Sequence, residues 1–334
     1  MDNQTERRLA GWTKWRFGAL CGIPAGLTLF FAYRFAYDTD IAYFKTGSAL
    51  FAAACALLAV GLFCAVILWG SARKRVSLNA APKNGRAETF AALLAGVLFL
   101  LSAVRGTLAF DSPGKLEIAA TILLVLPAAY LLCNGLAPER TAPAAIWLAF
   151  GGAVSAIVQL FYQYFRATLP LNAPSRHLET IATIGMLFFF LTESRDRIGT
   201  GYATASFYAF ANGAAATVCT AVGLAHAMLS LTGGALTPDF APDPFWCAAL
   251  FAVGVLATCR VLRLPGLLCP YQPPYSPAEE EKKKKEQKAL AKTQAENGGS
   301  TEANVDTDST SSGSDDCRDC RDCNDNANSD ENRA

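Results

Sequence analysis

Residues 48–70 read SALFAAACALLAVGLFCAVILWG, and this stretch decides the fold of the chain. It has no charged side chain and is longer than the roughly 20 residues that a helix needs to cross a bilayer. Strand spans would alternate in polarity, and lipid offers no water to an open backbone, so the stretch is predicted to be helical. Seven further apolar runs lie at 17–36, 88–110, 117–136, 144–165, 178–193, 201–231 and 245–264. The sequence therefore predicts an all-α, polytopic transmembrane helical bundle of about eight spans.

Charge is distributed unevenly along the 334 residues, of which 52% are hydrophobic and 17% charged. The pattern predicts a short N-terminus at 1–16, a transmembrane domain at 17–270 and a charged tail at 271–334. The tail is rich in Gly, Ser, Thr, Asp and Asn from Asn297 onward, which predicts disorder because little apolar surface offsets the entropy of folding. The net charge of +1 and the lack of a basic domain predict no nucleic-acid partner.

Lysine and arginine in the predicted loops indicate the orientation of the chain. An even number of spans places both termini on one side. One set of segments comprises the N-terminus, 71–87, 137–143, 194–200 and the C-terminal side. Its lysines and arginines are Arg7, Arg8, Lys14, Arg16, Arg73, Lys74, Arg75, Lys83, Arg86, Arg140, Arg195, Arg197, Arg260 and Arg263. The opposite segments carry only Arg34, Lys45, Arg105, Lys115, Arg166 and Arg176. The bias predicts a multi-pass protein of the cell membrane with both termini cytoplasmic.

Polar residues near the predicted outer surface form the candidate binding site. Gln159, Gln163 and Arg166 lie at i, i+4 and i+7 and therefore share one helix face. The next span begins with Arg176, His177 and Glu179, and His226 falls at a similar depth late in the seventh run. Ionisable groups within a membrane are costly, which favours a function for them. The pattern predicts a vestibule for a small polar or anionic solute, with Arg166 and Arg176 as point charges. The alternative is that these residues are headgroup anchors and interhelical hydrogen bonds.

The seventh run adds Asn212 to the candidate residues. Asn212-Gly213 near its middle is consistent with a broken helix, a device that transporters use at the membrane midplane. The small residues around it equally predict close helix packing, which also provides faces for a homo- or hetero-oligomer. Elsewhere, the segment from Glu193 to Arg197 predicts a capped, salt-bridged helix end without chemistry.

Three cysteines in the tail have metal-ligand spacing. Cys317, Cys320 and Cys323 form a C-x-x-C-x-x-C pattern whose thiolates are suited to zinc or part of an iron–sulfur cluster. A fourth ligand is missing, and the repeated Cys-Arg-Asp triplet also fits a low-complexity expansion. The sequence otherwise predicts no cofactor.

Three hypotheses about function follow from these patterns. The first is a transporter of a small polar solute, and the second is a membrane sensor or assembly subunit without transport activity. The third is a lipid-modifying enzyme that uses His177 or His226 with Glu179. The third is the weakest, because the sequence contains no Walker A, dinucleotide fingerprint, G-x-S-x-G or H-E-x-x-H motif.

Overall fold

A computed structural model describes residues 14–72, 76–78, 85–108, 114–136, 143–197, 205–264 and 268–270. All of them belong to one compact unit that runs from Met1 to Pro274. The predicted tail, with Cys317, Cys320 and Cys323, lies outside the described residues, and the division of the chain at residue 270 stays a prediction.

The described residues are almost entirely helical. A 3₁₀ helix, Lys14–Cys21, leads directly into the first α-helix. The helices are α1 (Gly22–Ala36), α2 (Ala49–Ala72), α3 (Arg86–Leu108), α4 (Lys115–Leu123), α5 (Val125–Leu136), α6 (Pro143–Phe165), α7 (Pro174–Arg197), α8 (Ala205–Leu231) and α9 (Pro244–Leu262).

Seven segments of the described chain are long and apolar enough to cross a membrane. They are the first segment Lys14–Ala36, α2, α3, the α4–α5 pair, α6, α8 and α9. The predicted all-α membrane bundle is thus confirmed, and the chain is a multi-pass membrane protein in contact with the lipid bilayer. α7 has 24 residues and extends about 36 Å, but charged residues at both of its ends keep it outside this set.

The predicted span at 117–136 is two helices with a turn at Leu124 between them. Pro127 explains the break, because it has no N–H to donate to the carbonyl of Leu123 and its ring clashes with that carbonyl. The amide of Leu124 instead reaches the carbonyl of Thr121, as in a 3₁₀ turn, at 3.3 Å. The chain therefore bends within this span.

α8 is the central helix of the bundle and contacts α1, α2, α7 and α9. Within its most apolar window 78% of residues are buried, against 22% for α2. Gly254 of α9 lies so close to α8 that a Cβ there would be 2.4 Å from the amide nitrogen of Thr220. α8 is unbroken from Ala205 to Leu231, so the predicted break at Asn212-Gly213 is absent and close packing accounts for its small residues.

One short hairpin and one two-stranded antiparallel ladder complete the described structure. β1 (Tyr37–Asp38) pairs with β2 (Tyr43–Phe44), and Phe44 contacts Tyr33 near the end of α1 at a ring-centroid distance of 5.0 Å. β3 (Val76–Leu78) pairs with β4 (Leu268–Pro270). The hairpin thereby covers the end of the bundle that holds the candidate site.

Candidate functional site

A buried ion pair joins α6 to α7 at one end of the bundle. Arg166, directly after α6, donates from Nη2 to the Glu179 carboxylate at 2.9 Å, and the side chains are 11% and 5% exposed. The guanidinium also lies over the ring of Phe240, 4.0 Å from its centroid. Both groups leave water at considerable cost, and each offsets the charge of the other inside the bundle.

His226 of α8 extends this pair toward the centre of the bundle. Its Nδ1 atom lies 3.6 Å from Oε1 of Glu179, and its Nε2 atom lies 3.0 Å from the hydroxyl of Tyr33. With the proton on Nδ1, the imidazole faces the carboxylate and Tyr33 donates to Nε2. Arg166, Glu179, His226 and Tyr33 therefore form one connected set from four segments, called here the Glu179 network.

Tyr37 lies beside this network on β1. Its hydroxyl donates to the carbonyl of Leu236 at 3.0 Å and lies 3.4 Å from the hydroxyl of Ser175. Burial raises the pKa of Tyr37, and the negative charge of Glu179 adds to the effect. The phenol therefore stays protonated at neutral pH and ties the hairpin to the loop after α8.

Two adjoining cavities of about 300 Å³ and about 450 Å³ open beside the Glu179 network and form the cleft. They share Glu117, Tyr162, Arg166 and Phe240 in their walls. Arg105, whose side chain is 53% exposed, lies at the rim. The smaller cavity is lined by Ser102, Arg105, Gly106, Glu117, Ala120, Thr121, Leu124, Gln159, Tyr162, Gln163, Arg166, Glu179, Phe240, Ala241, Asp243 and Trp246.

Four of the sequence-predicted site residues meet in the wall of the cleft: Gln159, Gln163, Arg166 and Glu179. Gln159 donates to the carbonyl of Ala120 at 2.9 Å, and Gln163 donates to the hydroxyl of Thr183 at 2.9 Å. The face predicted from the i, i+4, i+7 spacing is therefore a polar seam that joins α6 to α4 and α7. His226 touches Glu179 from behind without lining the cleft.

Arg176 lies away from the cleft, although the sequence suggested it as a point charge for solute. Its guanidinium is buried and donates to the carbonyls of Leu169 at 2.7 Å, Gln163 at 2.6 Å and Arg166 at 3.0 Å, and also to that of Tyr164. The carbonyls of Gln163, Tyr164 and Arg166 lie at the end of α6, where a helix leaves acceptors without partners, and that of Leu169 lies in the loop that follows. Arg176 thus caps α6, and its donors are occupied by backbone.

His177 and Asn212 also lie outside the cleft. His177 is exposed at the start of α7 and lines neither cavity. Asn212 is fully buried in α8, fourteen residues or about 21 Å from His226, and donates to the carbonyl of Tyr208. Neither residue is brought to the predicted vestibule.

Sequence reasoning missed several residues of the cleft. Arg105 and Glu117 lie near the ends of predicted spans, where the sequence predicts that they snorkel to the headgroups. In the structure both line the cleft. Asp243 caps α9 through the amides of Phe245 and Trp246 and also accepts from Ser102 at 2.6 Å. Their shared depth could have identified them, because Arg105, Glu117 and Asp243 all lie at the same predicted membrane surface as Arg166.

A second buried network lies toward the opposite end of α7. The Glu193 carboxylate accepts from Arg260 of α9 and from the hydroxyl of Tyr130 of α5. The Arg260 guanidinium also lies 5.1 Å from the ring centroid of Phe189. The sequence predicted a capped, salt-bridged helix end here, and in the structure the pair is buried, with Glu193 4% and Arg260 6% exposed. Tyr130, Glu193 and Arg260 are called here the Glu193 network.

Two further arrangements of side chains bear on the metal-site and lipid-modifying hypotheses. Within the described ranges, no group of three or more His, Cys, Asp or Glu side chains is placed to hold a metal ion. The lipid-modifying hypothesis needed a His–Glu contact that opens to a groove. His226 does contact Glu179, but it is 1% exposed and lines neither cavity.

Comparison with protein-family models, curated proteins and solved structures finds no match to this chain.

Proposed function

We propose that this chain is a membrane transporter of a small polar solute and that the solute binds in the cleft. The observation that carries the proposal is the Arg166–Glu179 ion pair in the cleft wall, held at 2.9 Å and largely withdrawn from solvent. Ionised groups inside a membrane bundle are costly and typically mark the path of a polar substrate. A cavity of about 300 Å³ lies at the small end of the range for ligand sites.

The site residues of this proposal are Gln159, Gln163, Arg166 and Glu179. His226 supports the proposed site from behind, where its imidazole faces Glu179. Arg176, His177 and Asn212 are left out, because each lies away from the cleft. The excess of lysine and arginine in the segments at the opposite end supports a cell-membrane protein with cytoplasmic termini and the cleft facing outward.

The proposal is tested with full-length protein reconstituted in lipid vesicles. Small amino acids, amines, carboxylates and sugars are screened first by thermal shift, and solutes that bind are then followed as uptake. Ala241→Trp fills the cleft from its exposed side and should weaken binding at least tenfold. Leu171→Trp is the matched control, because Leu171 is exposed in a loop next to α6 and α7 and lines neither cavity.

Two outcomes separate the possibilities. Binding without uptake would replace the transporter with a sensor that uses the same cleft. Equal effects of Ala241→Trp and Leu171→Trp, or no solute that binds, would overturn the proposal.

A second candidate function is assembly with another membrane subunit, and the exposed face of α2 favours it. Ala52, Ala56 and Ala59 lie at i, i+4 and i+7 on that face, and small residues allow helices to approach closely. Cys55 is exposed on α2 and Cys133 is exposed on α5. In a chain that keeps one cysteine at a time, crosslinking in membranes through Cys55 but not Cys133 would support this candidate.

A further inference from the structure

The charged side chains of the cleft differ in how fully they are paired. Five line it: Arg105, Glu117, Arg166, Glu179 and Asp243. Asp243 is saturated, because it accepts from Ser102, from Arg105 and from two amides at the start of α9. Glu179 is held by Arg166 and faces His226. Glu117 makes no hydrogen bond or ion pair with any residue in the described part of the chain, so its carboxylate is available to a ligand.

Arg166 offers the complementary charge. It uses Nη2 on Glu179, while its Nε atom is buried and has no hydrogen-bond acceptor among the described residues. A buried N–H without an acceptor is destabilising, and a carboxylate is the partner that guanidinium groups bind best. The Nε–H group of Arg166 is therefore left without an acceptor beside the cleft.

Glu117 and Arg166 both lie near the aromatic side chain of Tyr162. Tyr162 lines both cavities together with them, and its hydroxyl interacts with the guanidinium of Arg166 and lies within electrostatic range of Glu117. The face of an aromatic ring attracts an ammonium group. An anion alone would be repelled by Glu117, and a cation alone would leave the donors of Arg166 unused.

We infer that the solute is a small zwitterion whose ammonium group binds Glu117 and whose carboxylate binds Arg166. The inference rests on the proposed function and narrows its substrate class. The two lining arginines and three lining acids sum to one negative charge, so an anion alone would add to an excess that already sits on Glu117. A neutral molecule with separated charges satisfies both groups and leaves the Arg166–Glu179 pair in place.

The test measures the affinity of full-length protein for glycine, β-alanine and γ-aminobutyrate, with acetate and ethylammonium as half-molecules. The three zwitterions vary the separation of the charges. At least one should bind ten times more tightly than either half-molecule. Glu117→Gln should reduce that affinity at least tenfold, and Arg166→Lys should do the same because the planar fork is lost.

Lys115→Gln is the matched control, since it neutralises a charge two residues from Glu117 outside the cleft lining and should leave affinity unchanged. Acetate binding as tightly as the zwitterions, with no loss in Glu117→Gln, would overturn the inference and leave a transporter of anions. Ethylammonium binding as tightly, with no loss in Arg166→Lys, would overturn it in favour of a cation site. Binding of sugars alone in the wider screen would also overturn the zwitterion while the proposed function stands.

Discussion

Arg260 of α9 donates to the carboxylate of Glu193 of α7, although sixty-seven residues separate them in the sequence. Both side chains are buried, and the carboxylate also accepts from Tyr130 of α5. Three helices are thus joined at one point. At the other end of α7, Glu179 joins Arg166 and His226 in a similar way. The two acids lie fourteen residues, or about 21 Å, apart along the helix, so α7 is fixed near both of its ends.

Breaking the Glu193 network from one side should be strongly destabilising. Arg260→Met leaves a buried carboxylate without its cation, and we expect the free energy of unfolding to fall by about 3–5 kcal/mol. The double variant Glu193→Leu with Arg260→Met should recover most of that loss, because no buried charge remains. Denaturant titration of protein in micelles measures both.

Arg263→Met provides the comparison on the same helical turn. Arg263 pairs with Glu88 at 2.6 Å. The Glu88 side chain is 4% exposed, but that of Arg263 is 41% exposed, so solvent reaches and screens this pair and the loss should be smaller. Equal losses for the two arginine variants would show that burial does not decide the strength of these pairs.

Arg176 should matter for folding rather than for solute affinity. Arg176→Met removes the donors to four carbonyls at the end of α6 and in the loop that follows, and charge-assisted hydrogen bonds contribute about 1.5–3 kcal/mol each. We expect a loss of about 3 kcal/mol or more, with unchanged solute affinity in the protein that remains folded. His177→Ala, at the exposed neighbour, should change neither quantity. A variant that folds normally but no longer binds solute would return Arg176 to the site.

The sequence was informative wherever one helix carries the whole pattern. Apolar length located the described helices, with α4 and α5 predicted as one, and the i, i+4, i+7 spacing placed Gln159, Gln163 and Arg166 on one face. The sequence could not predict the contacts that depend on how one helix is rotated against another. Glu117 had the right depth, but only the packing of α4 against α6 turns it into the cleft. Likewise, no local pattern pairs Glu193 with Arg260, since burial of both groups arises from tertiary packing alone.

The stability of the protein should fall at alkaline pH through the titration of Tyr37, which lies on the β1–β2 hairpin near Glu179. Its pKa is raised in the folded protein above the ordinary value of about 10, so the folded state binds more protons than the unfolded state between the two values. The stability contributed by the neutral phenol is present below pH 10 and is lost as pH rises beyond it. Tyr37→Phe should therefore show a shallower fall in unfolding free energy above pH 10 than the unmodified protein. Identical slopes would contradict a half-buried, hydrogen-bonded phenol.

The crossing of α8 and α9 should tolerate no additional carbon atom at Gly254. A Cβ there would lie 2.4 Å from both the amide nitrogen and the hydroxyl of Thr220, and backbone cannot move aside without separating the helices. We expect Gly254→Ala to cost about 1–3 kcal/mol of unfolding free energy as overpacking. Thermal or denaturant unfolding in micelles measures the loss.

Gly70 of α2 is the control for that substitution, because a Cβ atom added there would have no described neighbour within 4 Å. Alanine is a better helix former than glycine, so Gly70→Ala should stabilise the protein by about 0.5–1 kcal/mol. The same chemical change thus takes opposite signs at two helical glycines, and only the distance to the neighbouring helix differs. If both variants were stabilised alike, α8 and α9 would not be in close contact, and the central position of α8 would have to be abandoned.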